Sequence, residues 1–142
     1  MTDTTMSVGD GDKDLSERLS AGLDEVNFPA TGTTADDQGE LSVKVVDDAG
    51  ELVGGLTAWT WGGLLGIEML WVRADSRQDG WGSKLLVAAE EEARRRGCDR
   101  ACVSSFTFQA PGFYERHGYV ETGRTRGIPG GAEDVHFFKP LT

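Results

Sequence analysis

Two glycines stand in a short segment whose residue types could hold a phosphate group. Gly80 and Gly82 lie between a predicted strand and a predicted helix. Backbone N–H groups converge at the positive end of a helix dipole, and glycine lets phosphate oxygens approach the backbone closely. Arg77 could add charge-assisted hydrogen bonds. The segment predicts a pyrophosphate site, and its alternative is a simple tight turn. Its residues are Arg77, Gln78, Asp79, Gly80, Trp81, Gly82 and Ser83.

Two common nucleotide-binding motifs are excluded by the residues around these glycines. A Rossmann fingerprint needs Gly or Ala three residues after Gly82, where this chain has Leu85. A P-loop needs Gly-Lys followed by Ser or Thr, and the segment lacks that run. The predicted phosphate site therefore belongs to neither of these nucleotide folds.

A lone carboxylate interrupts the predicted strand before this segment. Residues 64–73 predict a strand whose interior is apolar on both faces except at Glu68. A buried carboxylate in such a strand could act as a general base, directly or through water. Glu68 could instead pair with Arg73 or Arg126, or bind a cationic substrate. These alternatives stay open at the level of sequence.

The cysteines and histidines do not form a metal-binding pattern. Cys98 and Cys102 are four residues apart, and His117 and His136 are the only histidines. Neither the spacing nor the number of ligands fits a tetrahedral zinc site. We therefore expect no metal, two reduced and partly buried thiols of the kind found in the cytosol, and no catalytic role for either histidine.

The composition is acidic, which disfavours polyanionic partners. Asp and Glu total 24 against 14 Lys and Arg, and the net charge is −10. Such a surface repels nucleic acids. No apolar run approaches the ~20 residues that a membrane span needs, so we expect a soluble cytoplasmic protein without a membrane partner. Few lysines and many acids also suggest a halophilic protein.

The 142 residues are typical of one domain. Residues 1–12 predict a flexible acidic tail, because they hold too few apolar side chains to offset the entropy of ordering. Residues 13–142 predict a single domain. Asp14 and Glu17 predict the start of an amphipathic helix of roughly three turns, and residues 28–40 predict a loop.

The rest of the chain alternates between strand and helix patterns around one sheet, a mixed α+β order. Residues 41–61 predict a hairpin, and the helix after the glycines ends at Gly97. Glu90, Glu91 and Glu92 each precede an arginine by four residues, which predicts a solvated face of ion pairs. We expect the tryptophans to lie in the core or on the sheet, with Trp81 exposed. The remaining predicted elements are strands at 100–107, 119–124 and 135–139 and a short helix at 111–117.

A second patterned segment follows about thirty residues after the first. Residues 109–119 read Gln-Ala-Pro-Gly-Phe-Tyr-Glu-Arg-His-Gly-Tyr. Together the two segments resemble the GCN5-related N-acetyltransferase (GNAT) superfamily. Its central motif is Arg/Gln-x-x-Gly-x-Gly/Ala, and Arg77, Gly80 and Gly82 occupy those places. The later segment resembles the family's Phe-Tyr helix and the Gly-aromatic start of its next strand. The resemblance as a whole covers residues 41–140.

The resemblance implies a twisted, mostly antiparallel mixed sheet flanked by helices, with two central strands that splay apart. In this chain those strands are residues 64–73 and 100–107. The pantetheine arm of acetyl-CoA would lie between them and pair with the backbone of Leu70, Trp71 and Val72, while the amides of residues 78–83 would hold the pyrophosphate. Further donor contacts are implied for Gln109 and Phe113, although many relatives carry an asparagine after the corresponding strand.

The resemblance also implies direct attack of a neutral amine on the acetyl thioester. Glu68 resembles the carboxylate base of some members, and the Val72 N–H group would stabilise the oxyanion. Tyr114 matches the family's tyrosine near the sulfur, where it would protonate the departing thiolate. Its alternative is an aromatic residue that packs beside Phe113 with a satisfied hydroxyl.

The implied activity is N-acetylation of a primary amine on a small molecule or peptide, by a homodimer if the family analogy holds. The main alternative is a non-catalytic acyl-CoA-binding regulatory module. The joint presence of Glu68 and Tyr114 favours an enzyme. Acetylation of a protein N-terminus or of aminoacyl-tRNA is a third reading, whose tRNA version the acidic surface disfavours. Residues 27–39 and 123–133 are the predicted acceptor loops, and the family's usual first strand is not evident.

Overall fold

The computed structural model describes residues 3–142, and the chain forms two compact units, Met1–Ala35 and Asp36–Thr142. Residues 3–12 of the predicted tail are exposed and contain no helix or strand, and its first two residues lie outside the described part. Helix α1 spans Lys13–Thr31, and Gly32 ends it with φ 68°. The helix is longer than predicted, since it continues past residue 28.

The start of α1 differs from the prediction. Asp12 is the N-cap, and its carboxylate accepts a hydrogen bond from the Leu15 N–H at 2.9 Å. Asp14 therefore lies inside the helix, because the side chain nearest the free amides of the first turn is the one that caps them. No residue of α1, which is described over its full length, is buried.

Three antiparallel strands open the second unit: β1 (Gln38–Val46), β2 (Leu52–Trp61) and β3 (Leu64–Val72). Asp47 Oδ1 closes the first turn by accepting the N–H groups of Ala49 and Glu51, both at 3.0 Å. The predicted hairpin and third strand are therefore confirmed. The second half of β3, residues 68–72, is more exposed than its largely apolar sequence suggests.

The remaining elements complete one six-stranded sheet. They are α2 (Trp81–Arg95), β4 (Arg100–Phe106), α3 (Pro111–Arg116), β5 (Val120–Ile128) and β6 (Ala132–Pro140). The strand order is β1-β2-β3-β4-β6-β5, and β3 with β4 is the one parallel pair among the described strands. This mostly antiparallel mixed sheet with flanking helices confirms the predicted α+β class. The last two strands run longer than predicted, up to a tight turn at Pro129–Gly131.

Helix α2 covers one face of the sheet and forms the main core with it. The predicted apolar face is buried, and its residues are Leu85, Leu86, Ala89 and Ala93. They pack with strand residues such as Leu56 and Leu65. None of the four tryptophans belongs to this core, and Trp59, Trp61 and Trp71 lie on the strands β2 and β3, as the expectation of a core or sheet position allows. No helix in the described part of the chain is long and apolar enough to span a membrane.

The other face of α2 is only partly the solvated face that its charges predict. Glu92 pairs with Arg96 at 2.8 Å as expected, but Arg95 pairs with Glu92 and not with Glu91. Glu90 is 3% exposed. The prediction was wrong for Glu90 because helical spacing reports neighbours within the helix and not the strands that pack on it.

Buried Glu90 is bound by two residues from the last third of the chain. The Tyr119 hydroxyl donates to Glu90 Oε2 at 2.7 Å, and Lys139 Nζ lies 3.0 Å from both carboxylate oxygens. Arg94, the predicted partner, donates to the Leu141 carbonyl instead. Burial, with the contact to Glu90 second, raises the pKa of Tyr119 far above its usual range.

Candidate functional site

Strands β3 and β4 separate after three residue pairs. Leu64, Leu65 and Gly66 pair with Arg100, Ala101 and Cys102, and no further pair forms along the described strands. Beyond that point β3 remains bound to β2, and β4 remains bound to β6. We call the resulting opening between Ile67–Val72 and Val103–Phe106 the fork. The predicted splay of the two central strands is confirmed.

The end of β3 directs a backbone amide into the fork. Arg73 donates its N–H to the Val53 carbonyl of β2 at 2.7 Å. Successive N–H groups of a strand point to opposite sides, so the Val72 N–H points away from β2 and towards the fork. The Val72 carbonyl points the same way and accepts a hydrogen bond from Arg77 Nε at 2.9 Å. Val72 therefore offers a donor to the fork, while its carbonyl is already occupied.

Glu68 occupies a β-bulge beside the fork. Thr57 pairs with Met69 and Ala58 pairs with Ile67, which leaves Glu68 without a register partner. Its side chain is exposed, so the burial that we expected is absent. Arg73 pairs with Asp75 and Asp47, and Glu68 has no ion pair or hydrogen bond among the described residues. The bulge re-aims this carboxylate, and bulges recur next to active sites.

The glycine segment leads from β3 into α2 through a 3₁₀ turn, Ala74–Asp79, which contains Gln78 and Asp79. Gly80 follows with φ 77°, a conformation that favours glycine. The first turn of α2, described in full, has no side-chain cap and no acidic residue. The first amides of a helix lack intrahelical acceptors, so those of Trp81, Gly82 and Ser83 are available to an anion.

Three other predicted donor residues have different surroundings. Trp71 is 48% exposed, whereas Trp81 is half-buried, with Lys84 Nζ 4.4 Å from its ring centroid. The expectation of an exposed Trp81 is therefore wrong, because the lysine covers part of its ring. Gln109 Oε1 accepts the Phe106 N–H at 2.9 Å and holds the turn after β4. That amide oxygen is already engaged within the protein.

Tyr114 lies in the aromatic part of the core, 6% exposed. Its ring centroid is 5.2 Å from Phe113, 5.7 Å from Tyr119 and 5.9 Å from Phe137. Its hydroxyl has no hydrogen-bond partner within residues 3–142. The hydroxyl oxygen is not fully enclosed, because Thr57 Oγ1 is the one fully buried side-chain polar atom without a partner among these residues. Burial raises the pKa of Tyr114 to about 12, which keeps the phenol protonated.

Helix α3 is fastened to the first turn of α2 through two contacts. A Cβ atom on Gly82 would lie 3.4 Å from Phe113 Cε1, so the glycine allows the Phe113 ring to sit against the helix start. Ser83 Oγ and His117 Nε2 are 2.9 Å apart. Sequence analysis did not predict this contact between Ser83 and His117, because the two residues are 34 positions apart and no local pattern joins them.

A groove of about 420 Å³ enters the fork between the strands. Trp59 lies flat over Gly66, where a Cβ atom would be 2.0 Å from the indole Cε2, so this position requires glycine. Phe137 also lines the groove and contacts the ring of Tyr114. The predicted acceptor loops are partly regular structure, since α1 includes residues 27–31 and β5 includes residues 123–128.

Comparison with known proteins agrees with this geometry. A blasticidin-S acetyltransferase from Streptomyces morookaense is 46% identical over 76 residues, which are 51% of this chain and 54% of that protein. An acetyltransferase structure from Bacillus cereus gives a TM-score of 0.80 at 31% identity, with 95% of this chain and 97% of that one covered. A candidate acetyltransferase from Agrobacterium tumefaciens gives 0.84 at 28% identity, with 99% of both chains covered.

The matched segments span only 54% of the blasticidin-S acetyltransferase and 64% of a second curated relative, an acetyltransferase from Agrobacterium fabrum that is 37% identical over 87 residues. The family itself is matched over a longer stretch. Residues 12–119 match the Acetyltransferase (GNAT) family, which is more than half of the chain and includes the glycine segment, Glu68, Tyr114 and the strands of the fork. The family predicted from the two sequence segments is confirmed, and the chain belongs to the GNAT acetyltransferase family.

Proposed function

We propose that the protein is an acetyl-CoA-dependent N-acetyltransferase that acts on a primary amine of a small molecule. The observation that carries this proposal is the fork. It opens beside the uncapped start of α2, and the Val72 N–H points into it. Family membership and the blasticidin-S acetyltransferase relative support acetyl transfer to a small molecule.

The donor would lie with its pyrophosphate at the amides of residues 81–83 and its pantetheine arm in the fork. Arg77 Nε donates to the Val72 carbonyl, so the other guanidinium nitrogens of Arg77 would make the charge-assisted hydrogen bonds with the pyrophosphate. The acetyl carbonyl would accept the Val72 N–H, which stabilises the negative charge that develops as the amine attacks. Leu70 and Trp71 supply the remaining backbone along this edge of β3.

The proposed reaction moves two protons. The amine nitrogen bonds to the thioester carbon and loses a proton to Glu68, directly or through water, after which the carbon–sulfur bond breaks. The departing thiolate takes a proton from Tyr114. The raised pKa makes the phenol a weaker acid, but the same desolvation also disfavours a bare thiolate. A phenol that stays protonated is always present as a hydrogen-bond donor to the sulfur.

Glu68→Gln separates the two roles that remain for this carboxylate. If Glu68 is the base, kcat falls by about 10²- to 10⁴-fold, because a positioned proton acceptor contributes that factor. If it only binds a cationic acceptor, KM for the amine rises and kcat holds. Steady-state kinetics with saturating acetyl-CoA measure the split. Glu91→Gln, an exposed change on α2, is the matched control.

The acceptor would reach the thioester through the groove. Trp59 and Phe138 supply apolar walls, Ser104 and His136 supply polar groups, and exposed Glu68 follows two residues after Gly66. This lining suits an amine that carries an apolar or planar portion.

Calorimetric titration with acetyl-CoA tests the donor site without knowledge of the acceptor. We expect saturable binding by the wild type and at least about tenfold weaker binding by Gly82→Trp, because the new side chain collides with Phe113 and fills the loop. Gly22→Trp is the matched control, since nothing lies within 4 Å of a Cβ atom there. A wild type that binds nothing overturns the proposal, and binding without turnover of any amine favours the regulatory module.

We also propose a cytoplasmic, salt-adapted protein. The free thiols of Cys98 and Cys102 suit a reducing compartment, and the net charge of −10 suits high salt. The melting temperature of the wild-type protein should rise in molar KCl, because screening weakens the repulsion between its negative charges. A melting temperature that stays level would contradict the adaptation.

A further inference from the structure

The first turn of α2 contains a side-chain hydrogen bond that none of the proposed catalytic steps uses. Ser83 Oγ lies 2.9 Å from His117 Nε2, and the imidazole packs on Phe113 with ring centroids 4.7 Å apart. Phe113 in turn lies against Gly82. His117 is half-buried, so its ring is held between α3 and the start of α2. The histidine is therefore positioned beside the proposed pyrophosphate site.

The direction of this hydrogen bond matters to an anion. If the Ser83 O–H donated to His117, the serine would present only lone pairs to an approaching phosphate. If His117 donates from Nε2, the Ser83 O–H is free to donate outward. An anion at the amides of residues 81–83 favours the second arrangement, because a donor stabilises it and lone pairs repel it.

We propose that His117 is a positioning residue of the donor site, which donates to Ser83 Oγ and so aims the Ser83 hydroxyl at the pyrophosphate of the donor. This inference rests on the proposed function, since it requires acetyl-CoA at this loop. It assigns His117 a role through Ser83, while the proton transfers remain with Glu68 and Tyr114. The imidazole acts as a fixed hydrogen-bond donor, and the contact with Phe113 sets its orientation.

The test is a double-mutant cycle read by calorimetric titration with coenzyme A. Ser83→Ala and His117→Phe should each weaken binding by about tenfold, since the first removes the charge-assisted hydrogen bond to the pyrophosphate and the second removes the contact that aims it. The double variant should bind no more weakly than either single variant, because the two residues act as one unit. His117→Gln keeps an N–H donor and should restore most of the affinity.

The phenylalanine variant keeps an aromatic ring against Phe113, so packing is largely retained. A purely structural role would instead give losses that add in the double variant, or no rescue by His117→Gln. Either of these results, or wild-type affinity in His117→Phe, overturns the inference while the proposed function stands. A wild type that binds no coenzyme A removes both.

Discussion

Replacing Tyr114 by phenylalanine should lower kcat by about 100-fold or more, because the variant loses the only proposed proton donor to the thiolate. The ring can stay among Phe113, Tyr119 and Phe137, so the fold should persist. Affinity for acetyl-CoA should change little, since the hydroxyl acts on the sulfur as it leaves. Single-turnover thiol release measures the chemical step directly. An unchanged kcat would assign Tyr114 to packing alone.

The pH dependence sharpens this test. Burial raises the pKa of Tyr114 to about 12, so the phenol donates below that pH and loses its proton only above it. Any rise or fall of kcat between pH 6 and 10 must therefore come from the titration of another group. Tyr114→Phe should lower the whole profile without moving its limbs. Tyr119→Phe is the matched control. It should lower the free energy of unfolding, because it removes the hydrogen bond to Glu90, but it should leave kcat within about threefold of the wild type.

Lys139→Met should destabilise the protein by about 3 kcal/mol, because it leaves the Glu90 carboxylate buried without its cation. The Glu90 side chain is 4% exposed and that of Lys139 is 19% exposed, so water compensates the loss poorly. The Tyr119 hydroxyl still donates to Glu90, which keeps the expected effect at the low end for buried pairs. Urea unfolding at neutral pH measures the change in the free energy of unfolding.

A second variant separates the lost attraction from the uncompensated charge. Glu90→Leu combined with Lys139→Met removes both charges, and it should recover at least half of the lost stability. Lys44→Met makes the same change at an exposed strand position and should alter stability by less than about 0.5 kcal/mol. If Lys139→Met unfolds at the wild-type urea concentration, the buried Glu90 carboxylate does not depend on Lys139 for compensation, which contradicts the prediction.

Local patterns predicted most elements of the fold. Asp47 and the residues after it predict a turn, and the turn is closed by hydrogen bonds within five residues. The period of apolar residues in α2 predicts its buried face, because that face repeats within one helix. The ends of elements were less predictable. Asp12 and Asp14 are both plausible caps by residue type, and only the backbone conformation selects Asp12.

The site divides in the same way. Arg77, Gly80, Gly82 and Tyr114 could be selected from the sequence because their spacing matches a family pattern, and the fork agrees with that family's splayed strands. The exposure of Glu68 could not be predicted. A carboxylate among apolar residues suggests burial, whereas the bulge that turns it outward depends on how β2 pairs with β3.

The sequence by itself determined the order of elements and the glycine segment at the start of α2, since each depends on residues close together in the chain, and the net charge of −10, which depends on composition alone. The tertiary structure decided which distant side chains meet. Glu90 binds Lys139 across 49 positions, and Ser83 meets His117 across 34. Such pairs depend on strand register and helix packing, and neither helical nor strand periodicity encodes contacts at that separation.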